Sequence, residues 1–390
     1  MVKSTTAKGF KDFLGEEAAK RTKIKSWIEE TFKLYGFEPA ETPTIEFEEF
    51  VRGDNDKDEA VSEIFNLEDR GKRNLALKYE STFQLKRIAK NQKLPYKVYQ
   101  IARVFRDEPT TSNRQREFTQ CDADIIGSTP KEEAELFSLV KKILENIKIK
   151  PTIYINNRRL LNEILVSENI EEKYREKVIQ ELDKLDKLSK KEVADNLKKL
   201  KAEKLLKIFD GNGKDSDFEK YNFYKEIKEL KKLCKIYGVK VEFQPTLARG
   251  LSYYNGTIFE IKTKEMKETI CGGGAYLIDG TQSFGFALGL DRLSTLSKLE
   301  GDKTKVQLIS IDQDEKTIRL AENLRENKIS TNVLLSKSIG KALDYANSKG
   351  IEKVIFIGEE EVKKKKFKVK DMKTGKEEFL SEEGIVKSSG

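Results

Sequence analysis

Apolar residues recur at three- and four-residue steps from Ile24 through Trp27, Ile28 and Phe32 to Tyr35. That period marks one face of a helix, so an amphipathic helix is predicted over 16–35, with Gly36 as its stop. The chain from Phe37 to Ile45 then reads as extended, with Pro39 and Pro43 placed as at a sheet edge or strand end. Alternating patterns predict strands over 99–105 and 118–126. Between them the polar stretch Pro109-Thr-Thr-Ser-Asn-Arg-Gln-Arg116 makes a long hairpin loop.

Between 158 and 232 the pattern changes. Val178, Leu182, Leu185 and Leu188 stand among dense Lys and Glu, as in helices with charged outer faces. This stretch is assigned to an inserted helical module with a loop at 210–216. Strand patterns return at 239–243 and 254–261. After Leu299, short apolar runs at 306–311, 331–335 and 353–357 alternate with helical segments near 314–327 and 338–348. Such alternation predicts a small α/β domain with a largely parallel sheet. The expected organisation is an α+β core over 1–157, the helical insertion over 158–232, the core resumed over 233–300, and a separate α/β domain over 301–390. No repeat of solenoid length is found.

Of the 390 residues, 37% are hydrophobic and 36% charged, the balance of a globular chain with a heavily charged surface. No apolar run approaches bilayer-spanning length. The opening Met1-Val-Lys-Ser-Thr-Thr-Ala-Lys8 lacks the apolar stretch of a secretory signal. A cytoplasmic protein with no membrane partner is expected. Cys121, Cys234 and Cys271 are scattered and odd in number, which argues against a disulfide framework. The chain contains no histidine. That excludes serine–histidine and cysteine–histidine mechanisms and every imidazole base. Chemistry here must run on carboxylates, arginines, tyrosines and bound metal. The net charge of +8 permits a polyanionic partner without demanding one.

Four segments carry candidate chemistry. In Phe105-Arg-Asp-Glu108, strand parity would put Arg106 and Glu108 on one face; on the returning strand, Phe118, Gln120, Asp122 and Asp124 share a face. Charged groups gathered this way form either a solvated, salt-bridged sheet face or a site, because buried charges need partners. Leu247-Ala-Arg-Gly-Leu-Ser-Tyr-Tyr-Asn-Gly256 reads as a turn or a ligand loop. Cys271-Gly-Gly-Gly-Ala-Tyr276 lets the backbone bend or come close to another group, bending being the commoner use. Phe284-Gly-Phe-Ala-Leu-Gly-Leu-Asp-Arg292 joins a strand of small residues to a helix that starts with an acid–base pair.

In this order the segments resemble the class II aminoacyl-tRNA synthetases over nearly the whole chain. Tyr35-Gly36-Phe37 through Pro43 is similar to their motif 1, Phe105-Arg106-x-Glu108 with its loop and Phe118 to motif 2, and Gly285-x-x-x-Gly289-x-Asp291-Arg292 to motif 3. Leu247-x-Arg249-Gly250-Leu251-x-Tyr253-Tyr254, followed by Gly272–Gly274 and Tyr276, resembles the signature of the histidyl members.

The resemblance implies a homodimer that uses ATP with Mg²⁺ to activate L-histidine and charges tRNA(His). Arg106 would grip the ATP α-phosphate. Phe118 would stack on adenine while Glu108 reads its amino edge, and Arg114 and Arg292 would hold the outer phosphates. Arg249 would steady the charge developing at the α-phosphate. The substrate ammonium would sit against Glu80, Thr82 and Gln120. The imidazole would lie between Asp124 and Tyr254, with Tyr253 beside it and Tyr276 closing the pocket. No protein side chain is assigned to the metal. Residues 301–390 would read the anticodon, with Lys363–Lys370 offering cations beside an aromatic ring for phosphates and stacking, or forming a plain surface hairpin.

This sequence departs from the family pattern at five positions. Ser252 stands for an aspartate, Asp291 for a glutamate, Ala275 for an arginine, Asn113 for a glycine, and Asp124 for a glutamate one methylene longer. The competing reading is an inert relative, serving as a regulatory subunit of histidine biosynthesis or a tRNA-binding sensor. Such relatives generally lose the Arg-Gly-Leu-x-Tyr-Tyr signature and the anticodon domain, both of which this sequence retains.

Overall fold

A computed structural model describes residues 4–53, 59–111, 114–186, 188–209, 215–248, 253–335 and 338–390. The chain divides into two compact units, one of Met1–Phe13 with Arg21–Leu299, the other of Leu14–Lys20 with Glu300–Gly390.

In the first unit the strands are β1 (Glu38–Pro39), β2 (Ile45–Phe47), β3 (Asn66–Glu68), β4 (Asn74–Leu77), β5 (Tyr96–Phe105), β6 (Glu117–Ile126), β7 (Thr152–Asn157), β8 (Glu242–Phe243), β9 (Thr257–Lys262), β10 (Cys271–Ile278) and β11 (Thr281–Gly289). Among the described residues, eight of them form one sheet in the order β1-β5-β6-β11-β10-β9-β7-β8, and β2, β4 and β3 form a small second sheet. The large sheet is antiparallel except where its outermost strands, β1 and β8, pair parallel with their neighbours. Pro39 lies on the edge strand β1, where its missing N–H costs no ladder bond.

The helix Gly15–Leu34 buries Ile24, Ile28 and Phe32, spaced at the helical repeat. It ends at Gly36, whose φ is +78°. Phe37 N donates to Phe32 O at 3.0 Å and Gly36 N to Lys33 O at 3.0 Å, a Schellman stop that only a residue at ease in the left-handed region forms cheaply. The helix Pro130–Asn146 begins with a capping box between Thr129 and Glu132 and sets Phe137 against Phe259 and Phe284 of the sheet, 4.7 and 5.8 Å between ring centres. The helices Arg158–Ser167, Glu172–Asp183, Lys190–Lys199 and Tyr224–Ile236 share one continuous apolar cluster with the sheet, through Leu161, Val178, Leu197 and Ile227 among others.

In the second unit β12 (Val306–Ser310), β13 (Thr331–Leu334), β14 (Lys353–Ile357), β15 (Phe367–Asp371) and β16 (Glu377–Leu380) form a sheet in the order β13-β12-β14-β15-β16. The first three are parallel, but β15 and β16 add an antiparallel hairpin, so the parallel pattern expected from the alternation covers only part of it. Helices lie on both faces. Leu320, Leu324 and Ile385 pack on one, Ala342 and Ala346 on the other. The sheet-and-helix architecture is the α+β core with a C-terminal α/β domain that the sequence predicts.

Of the two readings of the lysine-rich segment, the plain hairpin agrees with the β15–β16 pairing and base stacking does not. Phe367 is fully buried in the core and is unavailable for base stacking. Lys363 and Lys364 pair with Glu359 and Glu360 one helical turn away, and Lys368 pairs with Glu377 on the adjacent strand.

Candidate active site

The site is built on β6. Cys121, Ala123 and Ile125 point into the apolar core, so Phe118, Gln120, Asp122 and Asp124 occupy the opposite face. Asp124 is 5% exposed and accepts a hydrogen bond from the Tyr276 hydroxyl at 2.5 Å. Burial pushes its carboxyl up to about 7; the Tyr276 hydroxyl opposes the rise and the Glu80 charge adds to it. Asp122 is pushed well above the usual carboxylate range by burial, then by Asp124 and Glu80. Glu80, buried on the segment after β4, therefore shares this pocket. Thr82, two residues on, opens the turn into the short helix Leu85–Ile88.

Three tyrosines form the opposite wall. The Tyr253 ring lies 4.7 Å from Tyr254 and 5.7 Å from Tyr276. Burial, then the neighbouring Asp124, holds the Tyr276 hydroxyl well above its ordinary pKa, so it remains a donor. The glycine run of β10 is straight strand, contrary to the bend expected, and its role is close approach. A Cβ on Gly273 would fall 2.0 Å from Gly285 O, and one on Gly274 would fall 2.8 Å from the Tyr254 ring. Tyr254 lies three residues before β9, outside the strand predicted over 254–261.

At the other end of the β6 face the groups are cationic. The β5–β6 ladder ends at Phe105 and Glu117. Arg106 and Glu108 thus follow the strand, and parity does not align them. Their orientation comes from long-range contacts. Arg106 Nε donates to Tyr79 O at 3.2 Å, and its guanidinium stands 5.2 Å from the Phe118 ring centre. Glu108 is 2% exposed and ion-paired with Arg114. Arg292 donates to Thr269 O at 2.6 Å. Burial lowers its pKa; the charges of Glu268 and Glu108 oppose that, and the cations Arg114 and Arg106 reinforce it. Guanidinium groups of Arg114 and Arg106 near enough to disfavour the charge of Arg292 suit a ligand carrying several negative charges.

Sequence reasoning gave Asp291, Arg21, Lys78 and Asn156 no role. Asp291 accepts from Arg21 Nη1 at 2.9 Å and from Thr119 N at 3.0 Å, tying the helix that bears Arg292 to β6. Asn156 Nδ2 donates to Pro245 O and Leu247 O, at 2.9 and 2.7 Å, and Ala248 N donates to Asp183 at 3.2 Å. These bonds hold Leu247 and Ala248 in place. Arg249 itself, with Gly250, Leu251 and Ser252, lies outside the described residues, as does Asn113. Nothing in the local pattern announces these partners, which lie 65 to 270 positions away.

An antiparallel sheet that carries arginines at its motif 2 and motif 3 positions, beside a buried polar pocket, is the core of a class II aminoacyl-tRNA synthetase. The family model described as histidyl-tRNA synthetase matches residues 9–293, and the one described as anticodon binding domain matches 305–388. The histidine–tRNA ligase 1 of Bacillus anthracis is 34% identical, over 95% of this chain and 96% of its own length. The histidine–tRNA ligase of Methanocaldococcus jannaschii is 32% identical, over 96% of each. The crystal structure of histidyl-tRNA synthetase from Nostoc sp. PCC 7120 superposes with a TM-score of 0.87 at 24% identity, covering 100% of this chain and 99% of that one. The chain belongs to the histidyl-tRNA synthetase family.

Proposed function

We propose that this chain activates L-histidine with ATP to form histidyl-adenylate and transfers the histidyl group to the 3′ end of tRNA(His). The observation that carries the reading is the buried Asp124–Tyr276 pair beside Tyr254, with Asp124 on the same β6 face as Phe118, over whose ring the Arg106 guanidinium stands. A neutral imidazole offers one donor and one acceptor. The Asp124 carboxylate takes the ring N–H, and a tyrosine hydroxyl serves the other nitrogen. A pocket of buried polar groups rejects analogues that lack those groups by about 10⁴–10⁵-fold.

In the first step the substrate carboxylate attacks the ATP α-phosphorus and pyrophosphate leaves. Arg106 grips the α-phosphate, Arg249 steadies its developing charge, and Arg114 and Arg292 hold the β- and γ-phosphates. Arg114 exchanges its pairing with Glu108 for phosphate, which leaves Glu108 to read the adenine amino group over Phe118. Gln120, Glu80 and Thr82 receive the ammonium; Tyr253 and Tyr254 close against the ring. In the second step a terminal ribose hydroxyl of the tRNA attacks the activated carbonyl and AMP leaves.

Mg²⁺, a hard ion bound through oxygen, would ride on the ATP phosphates. Residues 301–390 are the anticodon-reading domain, residues 1–157 and 233–300 the catalytic core, and 158–232 its insertion. We place two copies together through the motif 1 region, where Ile45 and Phe47 are about half exposed, at 49% and 51%. No helix among the described residues is long and apolar enough to cross a membrane. The three free, buried cysteines fit a reducing cytoplasm.

ATP–pyrophosphate exchange with each amino acid tests the reading. Exchange with histidine alone is expected. Exchange with none would favour the inert relatives, and exchange with another amino acid would reassign the pocket.

A further inference from the structure

We propose that the N-terminal segment Ala7–Phe13 is a positioning element of the nucleotide site, acting through Gly9 on Arg116 and through Phe13 on Arg21. The inference rests on the nucleotide roles given above to Glu108 and Phe118, and it adds residues to which that reading gives no part.

The segment has no helix or strand of its own, so its course is set by what it touches. Gly9 O accepts from two successive amides of the arm that returns into β6, Arg116 N at 2.9 Å and Glu117 N at 3.3 Å. The Phe10 ring lies 6.2 Å from that of Phe65, whose carbonyl accepts from Leu77 N of β4 at 3.0 Å. Position 9 calls for glycine on two separate grounds. Its φ is +88°, and a Cβ there would fall 2.7 Å from Arg116 Cγ and 2.9 Å from Arg116 Cβ and Cδ. Those near atoms follow the backbone that Gly9 itself holds, so a methyl group would push on the hairpin.

Arg116 passes the anchorage to the opposite arm. Its Nε donates to Glu108 O at 3.2 Å, its Nη2 pairs with Asp107 at 3.0 Å, and its carbonyl accepts from Arg106 N at 2.9 Å. One residue thus ties the return arm to three consecutive residues of the outgoing arm, past the last ladder pair of Phe105 and Glu117. The main chain of Glu108, assigned to the adenine amino group, is among them.

At the other end of the segment the Arg21 guanidinium stands 3.8 Å from the Phe13 ring centre and reaches Asp291 at 2.9 Å and Thr119 Oγ1 at 3.4 Å. The two clasps meet the return arm at Arg116 and Glu117 and again at Thr119. Phe118, the ring assigned to adenine, lies between them. Both groups that would recognise the base are therefore flanked by contacts leading back to one segment. Asp124, at the other end of the β6 face, is held by Tyr276 instead, so the amino-acid pocket should not feel the segment.

ATP–pyrophosphate exchange by the full chain and its Gly9→Ala variant tests this, using ATP and purine riboside 5′-triphosphate, which lacks the amino group that Glu108 would read. Gly9→Ala is expected to raise the KM for ATP about tenfold or more and leave the KM for L-histidine nearly unchanged. It should also shrink the preference for ATP over the amino-free analogue. A role confined to folding would shift both KM values alike or leave that preference intact, and either result would overturn the proposal. Should Gly9→Ala not fold, Arg116→Met keeps the stem against Gly9 and removes the bonds to Asp107 and Glu108; the same changes are expected, and the same two results count against it. Coupling is reciprocal, so in the unmodified protein ATP should slow amide hydrogen exchange over residues 7–13 together with 114–119. Protection of the second stretch without the first would overturn the proposal. Failure of the nucleotide reading itself looks different, because the unmodified protein would then catalyse no pyrophosphate exchange or show no preference for ATP over the analogue.

Discussion

Asp124 and Gly285 are paired across β6 and β11, and the carboxylate of the first fills the space where the second has no side chain. A Cβ built on Gly285 would fall 1.8 Å from Asp124 Oδ1 and 3.1 Å from Ala123 O. The same glycine accepts close approach from the other side, since its carbonyl lies under Gly273. Three strands thus come together without side chains between them. The room they leave is taken by the Asp124 carboxylate and by the Tyr254 ring beside Gly274. A motif that reads as glycine-rich in sequence is, in three dimensions, the space allotted to two polar groups.

Gly285→Ala should accordingly damage the amino-acid pocket before it damages the fold. The methyl group must displace Asp124, and overpacking of this kind costs about 1–3 kcal/mol. We expect a KM for histidine raised by tenfold or more, a KM for ATP that changes little, and a modest fall in Tm. An alanine variant with an unchanged histidine KM would show that the Asp124 carboxylate does not need its present position.

The raised carboxyls make the free protein sensitive to pH. Asp124 and Glu133 are both pushed by burial up to about 7, far above the ordinary values of 3.8 and 4.5. Between those limits the folded state holds protons that the unfolded chain has released, so stability falls as pH rises from about 4 to about 7 and levels off above. The Tm of the ligand-free protein should drop from pH 5 to pH 8. Asp124→Asn and Glu133→Gln should each flatten part of that slope, by about 1–3 kcal/mol per group. A Tm that rises steadily over the same range would contradict the assignment.

Much of this architecture was legible because it is local. The Ile24–Ile28–Phe32 stripe with Gly36 needs only the helical period and one left-handed residue. The face shared by Gln120, Asp122 and Asp124 needs only strand parity. The rest was not legible, because it depends on contacts between distant segments. Arg106 and Glu108 lie past the last ladder pair, so parity could not orient them. Phe367 reads as an aromatic among exposed lysines, yet strand alternation turns it into the core. The tie from Asp291 to Arg21 spans 270 positions and leaves no periodic trace.

That tie has a measurable consequence. Asp291 anchors both Thr119 N and Arg21, and its neighbour Arg292 stands among the other guanidinium groups of the site. Asp291→Ala should cost about 1.5–3 kcal/mol, the usual loss for charged hydrogen bonds. It should also raise the KM for ATP more than that for histidine. Asp291→Glu, the residue usual in the family, should restore most of the ATP affinity. If alanine shifts both constants alike, Asp291 supports the fold without positioning the phosphate site.

In the second unit, Phe367→Ala should act on folding. Removing a fully buried phenylalanine costs about 3–5 kcal/mol, and hydrogen exchange should show the sheet β12–β16 losing protection. Charging measured at low temperature, where the unit stays folded, should keep its KM for tRNA. A large rise in that KM with intact protection would return Phe367 to the RNA surface.

The strongest kinetic effect should come from Arg249. Its flanks are well anchored: Asn156 holds Leu247 O at 2.7 Å, Asp183 holds Ala248 N at 3.2 Å, and Tyr253 resumes the chain against Tyr276. The charge of Arg249 is proposed to meet the α-phosphate only as negative charge builds there, so its loss should fall on kcat. Arg249→Ala is expected to slow ATP–pyrophosphate exchange by about 10²–10³-fold, with the KM for histidine and the Tm almost unchanged. Arg249→Lys should recover little, because an ammonium offers a point charge where a guanidinium offers a planar fork. An alanine variant with near-normal kcat would remove Arg249 from the chemical step and leave the charge at the α-phosphate to Arg106.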